Sequence, residues 1–257
     1  MNKNTKKEDV SIRQYAFRAR EKTYLEFDEN NKAQLEITLA ELQKILNIKL
    51  LVISVGCDFD INNQARYDAF ALTKNALDIL VSALHMARQR AVLETMSLLR
   101  VALECGSTAL HIAKDSDAYV RYKKCDYNST KAISFAKQFI PIIGEVWGAF
   151  SNTAVHANMI GFGPKIKSDE KGTISRVVKL EYGSRKLHPI QDKVVLTSIS
   201  LVSAMVLKIT ELILFEKSQL HEKALQLAGT KTIYISNTDA KIIEYDELLR
   251  SYPSQVR

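Results

Sequence analysis

AVLETMSLLRVALECGSTALHIA, residues 91–113, decides the fold class of this chain. It is an almost wholly apolar run interrupted by Arg100, Glu104, Ser107 and His111. At about 100° per residue these four positions fall within roughly 60° of one another on a helix, while Ala, Leu, Val and Ile cover most of the remaining circumference. The pattern predicts a buried helix with one polar seam. An ionisable group entering a core must be paired or hydrogen-bonded, because an isolated buried charge costs several kcal/mol or forces its own neutralisation. The seam therefore reads either as a clamp or as the floor of a site.

Working outward, the same helical periodicity recurs along most of the chain. Lys32 to Val55 carries Leu35, Leu39, Leu42, Ile45, Leu46, Ile48 and Val52 at three- and four-residue intervals. Gln64 to Arg88 places Phe70, Leu77, Leu80, Val81 and Leu84 on one face, and the charged Arg88-Gln89-Arg90 separates it from the seamed helix. Asp115 and Asn128 are positioned to cap short helices reaching about Arg121 and Phe139. Pro141 is expected in the first turn of a helix to Asn158, and Pro189 at the start of the longest one, reaching about Ala228. Nine Gly and four Pro in 257 residues leave few breakers. The expected architecture is all-α, a single helical domain over 1–257 built from about seven or eight helices. A small β-like insertion is expected near 172–182, a short strand near 233, and a basic N-terminal helix within residues 1–30.

The chain carries a formal charge of +7, concentrated in two places. Residues 1–22 hold seven Lys or Arg against three acids, and residues 163–193 hold eight against four. Both are solvated segments first and nucleic-acid contacts second. Three widely spaced cysteines, Cys57, Cys105 and Cys125, form no C-x-x-C pair and fit a reducing compartment. No apolar core follows the charged opening MNKNTKKED, and the apolar stretch Val194 to Leu207 ends at Lys208, short of the roughly 20 residues of a bilayer span. The expectation is a cytoplasmic protein without a membrane segment.

Several chemistries lack their motifs. There is no GxxxxGK[ST] phosphate loop, and Gly161-Phe162-Gly163 lacks the third glycine of a dinucleotide fingerprint. His221-Glu222 begins an HExxH pattern that ends in Leu225, and no histidine completes Glu-x-x-His, so neither a metal site nor a cofactor is expected. The closely spaced Arg and His of compact helical ribonucleases are also missing. What remains is a constellation across two helices: Arg100 and Glu104 from the seam, with Ser151, Asn152 and His156 from the helix beginning near Pro141. Arg100, Glu104 and His156 are the candidate catalytic set, and Ser107, His111, Ser151 and Asn152 the candidate binding set.

The segments LLRVALE (98–104), 115–122 and SNTAVH (151–156) resemble an uncharacterised family of bacterial all-helical proteins of unknown function, over about residues 60–160. That resemblance implies a helical fold with Arg100, Glu104 and His156 gathered in its interior, and brings no activity, cofactor or substrate. Two functional readings follow from the residues. One is a binding or regulatory module acting on a protein partner or on its own second copy. The other is a metal-independent ribonuclease-like effector in which Arg100 clamps phosphate and His156 handles protons.

Overall fold

The structure is a computed structural model that describes residues 19–54, 64–154, 167–168, 174–176, 188–214 and 233–251. Its helices are α1 (Ala19–Asn30), α2 (Lys32–Ser54), α3 (Gln64–Arg88), α4 (Val92–Lys114), α5 (Ser116–Lys123), α6 (Ser129–Ala136), α7 (Ile143–Ala154), α8 (His188–Leu214) and α9 (Ile233–Ser251). That makes nine among the described residues, against the seven or eight expected. The fold class is all-α. The expected insertion near 172–182 lies mostly outside the described residues, which hold a short antiparallel pair there, β1 (Lys167–Ser168) with β2 (Ile174–Arg176).

Two helices organise the bundle. α8 packs against α2, α3, α4 and α9, and α4 packs against α3, α5, α6, α7 and α8. Where they meet, Gly106 of α4 lets the backbones approach: a Cβ there would stand 3.2 Å from Ile209 Cδ1 and 3.6 Å from Val206 Cγ2. Leu99, Leu103 and Leu110 of α4 and Leu196, Ile199 and Met205 of α8 are fully buried around this contact. α8 runs past Lys208, so Pro189–Leu214 has the length and composition of a bilayer span, although 94% of its most apolar window is buried within the bundle. Several of its small polar residues bond to its own backbone or to α2. Ser198 and Ser203 donate to carbonyls one turn back, and Thr38 of α2 shares a 2.9 Å hydrogen bond with Ser200.

The ends of the elements follow local chemistry. Asp115 Oδ1 accepts the backbone N–H groups of Asp117 and Ala118, and Asn128 Oδ1 that of Thr130, so both expected caps form. α3 closes with paired hydrogen bonds from Arg90 N to Ala87 O and from Ala91 N to Met86 O, with Arg90 at φ 57°. α5 closes in the same way at Cys125, φ 56°, with Cys125 N bonded to Tyr122 O and Asp126 N to Arg121 O. These are left-handed helix terminations in which a side chain occupies the position that glycine usually takes.

Two boundary expectations are corrected. Pro141 lies in the turn before α7, which begins at Ile143. Proline disfavours helical backbone at the residue before it, so α6 and α7 separate there. The strand expected near 233 is the first turn of α9, because β-branched residues favour a strand only where partner strands exist and here they lead into an amphipathic helical run. The expected continuation of α8 to Ala228 lies outside the described residues.

Candidate functional site

The polar stripe of α4 exists as read, and it divides into two clusters. In the first, Arg100 Nε donates to Glu104 Oε1 at 3.0 Å, and the same oxygen accepts the indole N–H of Trp147 at 2.8 Å. The Arg100 guanidinium lies over the Trp147 ring, 5.2 Å from its centroid. Trp147 comes from α7, so the triad ties α4 to α7. The Arg100 and Glu104 side chains keep 27% and 20% of their exposure, so the pair borders on water. The terminal amino groups of Arg100 make no hydrogen bond among the described residues.

The second cluster lies deeper. His111 is buried, its ring stacked on Phe135 of α6 at 4.4 Å and 18° between planes. Its Nδ1 is 2.7 Å from the Tyr127 hydroxyl and its Nε2 is 3.3 Å from Asp115 Oδ2. Burial pushes the Tyr127 phenol up to about 12, so its oxygen stays protonated and donates. Burial also lowers the His111 pKa, opposed by the Asp115 carboxylate. A neutral ring that accepts from Tyr127 at Nδ1 and donates from Nε2 to Asp115 satisfies every partner. Asp115 meanwhile caps α5 with its other oxygen, and those backbone hydrogen bonds lower its pKa. His111 thus fixes the corner between α4, α5 and α6.

Between the clusters, Ser107 is fully buried and its hydroxyl has no hydrogen-bond partner among the described residues. Arg100 and His111 stand eleven residues apart on one helix, roughly 16 Å along the axis at about 1.5 Å per residue, so they do not converge on one small group.

Of the residues expected from α7, Ser151 is buried and donates back to the Trp147 carbonyl at 2.9 Å, while Asn152 is exposed. Neither is bonded to Arg100 or Glu104. Trp147 occupies that place, because the face of α7 turned to α4 meets Glu104 one turn earlier than expected. His156 lies outside the described residues, so the structure brings together Arg100 and Glu104 but gives no position for the third member of the set. No group of three or more His, Cys, Asp or Glu suited to a metal ion occurs among the described residues.

Glu104 also floors an open groove of about 600 Å³, lined by Cys105, Thr108, Tyr122, Cys125 and Tyr127. Both cysteines are free thiols, and burial beside Glu104 raises the pKa of Cys105. This groove was not anticipated: Tyr127 and Cys125 reach it from beyond α5, and nothing local in the sequence signals that return. Comparison with known proteins adds no assignment, since no protein-family model, curated protein or solved structure matches this chain.

Proposed function

We propose that the chain is a helical binding module that works through protein–protein contact, with the outer side of α2 as its contact face and a second copy of the chain as its partner. The observation that carries this reading is an apolar stripe on α2 that the bundle leaves uncovered. Leu39, Leu46 and Leu50 are 43%, 39% and 54% exposed and recur at spacings of seven and four. Gln43 fills the intervening position and is bonded to Asn47 at 2.8 Å. Four-three-four spacing is the seam that two helices share when they pair, and one polar residue within it sets register.

The inner face of α2 is already used, with Thr38, Leu42, Ile45 and Ile48 buried. α2 is therefore apolar over a wider arc than its own bundle consumes. Two copies joined by a two-fold axis would cover the remaining arc with the same patch on each side. The basic segment 1–22 lies mostly outside the described residues, and its part in this reading is to add charge to a contact or to draw the module to nucleic acid. A cytoplasmic setting belongs to the same reading and is supported by the free thiols of Cys105 and Cys125.

Light scattering tests it: the chain should be a dimer at tens of micromolar, and Leu46→Glu should make it monomeric without changing its melting temperature. A wild-type chain that stays monomeric at ~100 µM overturns the reading.

A second reading rests on Arg100. Its guanidinium is held over the Trp147 ring by Glu104, its terminal amino groups make no hydrogen bond among the described residues, and such a group suits a phosphate. If the chain is a metal-independent ribonuclease-like effector, Arg100→Ala and His156→Ala each abolish RNA cleavage while the circular dichroism spectrum is unchanged.

A further inference from the structure

A recess separate from the seam and from the α2 face lies between α4, α7, α8 and α9. Its volume is about 280 Å³, and Val92, Met96, Phe150, Val194, Val195 and Leu249 form most of its wall. The Ser198 hydroxyl also faces it but is already spent on the Val194 carbonyl at 2.8 Å. Water in such a space finds too few partners to be held, and an apolar cavity of roughly 150 Å³ already takes up benzene. This recess, about 280 Å³, is nearly twice that size, which by the same proportion leaves room for a body of up to roughly eleven carbon atoms.

The mouth has its own chemistry. Arg250 of α9 bridges Asp246 of the same helix, at 2.7 Å, and Glu145 of α7, at 3.1 Å. Two carboxylates therefore face one guanidinium, leaving one negative charge unmatched at the rim among the described residues. The Arg250 and Glu145 side chains are 56% and 68% exposed, so their pairing holds the mouth only weakly and a competing cation can displace it. An anionic head would meet the excess negative charge, whereas an ammonium would complete it.

We propose that this recess is a binding site for a compact apolar amine, one ammonium on an aliphatic or two-ring aromatic body of roughly eight to ten carbons. The body fills the space among α4, α7, α8 and α9, and the head sits between Glu145 and Asp246. The site is independent of α2 pairing, and its test reads neither the oligomeric state nor RNA cleavage.

Calorimetry on the full chain with octylamine, octanol and octanoate, each below its aggregation concentration, decides the matter. Octylamine should bind saturably and at least tenfold more tightly than octanoate, with octanol between them. Glu145→Gln combined with Asp246→Asn should bring the octylamine and octanoate affinities to within about threefold, because the unmatched charge is gone. Ala149→Trp, at the rim, should remove octylamine binding. As a measurement that needs no variant, octylamine should displace the ten-carbon fluorophore 1-naphthylamine, neutral at pH 7, from the wild-type chain. Absence of saturable octylamine binding, equal or tighter binding of octanoate, or a failure to displace the fluorophore overturns the proposal.

Discussion

The two ends of the α4 stripe carry the same kinds of residue at the same helical spacing and solve the problem of burial differently. Around Arg100 the helix surface is part-exposed, so the Arg100–Glu104 pair borders on water and an aromatic ring covers only one side of it. Around His111 exposure falls to 6%, and the ring is enclosed by Phe135, Tyr127 and Asp115. The deeper group is held neutral and fully bonded. Lower exposure and a group able to shed its proton together give a neutral hydrogen-bonded corner at His111, because the cost of a charge rises steeply as water is withdrawn.

That contrast can be broken by substitution. The largest effect is expected for His111→Ala, which empties a stacked site and removes the ring nitrogen that accepts from Tyr127, costing about 3 kcal/mol in denaturant unfolding. Arg100→Ala removes a part-exposed pair and should cost about 1 kcal/mol or less. Equal losses at the two positions would erase the distinction. Trp147→Phe keeps most of the ring and deletes one donor to Glu104, for a loss of about 1 kcal/mol. Ser107→Ala should have the opposite sign, a gain of up to about 1 kcal/mol, because the buried hydroxyl it removes has no partner among the described residues. A clear loss there would show that the hydroxyl is satisfied after all.

The smallest effect is on pH dependence. The fold lowers the His111 pKa below 6.5 through burial, so the native state binds this proton less readily than the unfolded chain. The stability contributed by His111 is therefore complete at neutral pH and declines as pH falls below about 6.5. Asp115, whose pKa is lowered from 3.8 by the α5 backbone, loses its contribution in a separate window at lower pH. Melting curves between pH 7 and 5 should show the first decline in the wild type and not in His111→Ala. A wild-type curve flat over that range would remove the argument for a neutral ring.

Much of this was legible in the sequence, for reasons tied to distance along the chain. The helical periods of α2, α3 and α4, the Asp115 and Asn128 caps and the Arg100–Glu104 pair are local, set by neighbours one turn away. The roles of Trp147 and Tyr127 were not legible. Each is fixed by a contact across helices, from Trp147 to Glu104 and from Tyr127 to His111, and no spacing rule encodes such a pairing. Ser151 shows the same limit, since spacing does not tell that this buried serine donates to its own helix at the Trp147 carbonyl. Leu39 and Leu46 belong to the apolar series of α2 yet lie outside its buried face, because the series is wider than one helix face can bury.

The hairpin of α3 and α4 has a consequence for how the chain assembles. Only Gln89, Arg90 and Ala91 separate the two helices, and these are the most extensively paired elements of the structure. Closing so short a loop costs little entropy, so this pair can zip up early, while the docking of α8 must bring in a segment about a hundred residues away. Arg90 stands at the tip of that early unit, 3.5 Å from buried Asp192 at the head of α8. The residue that turns this hairpin thereby also holds the head of α8.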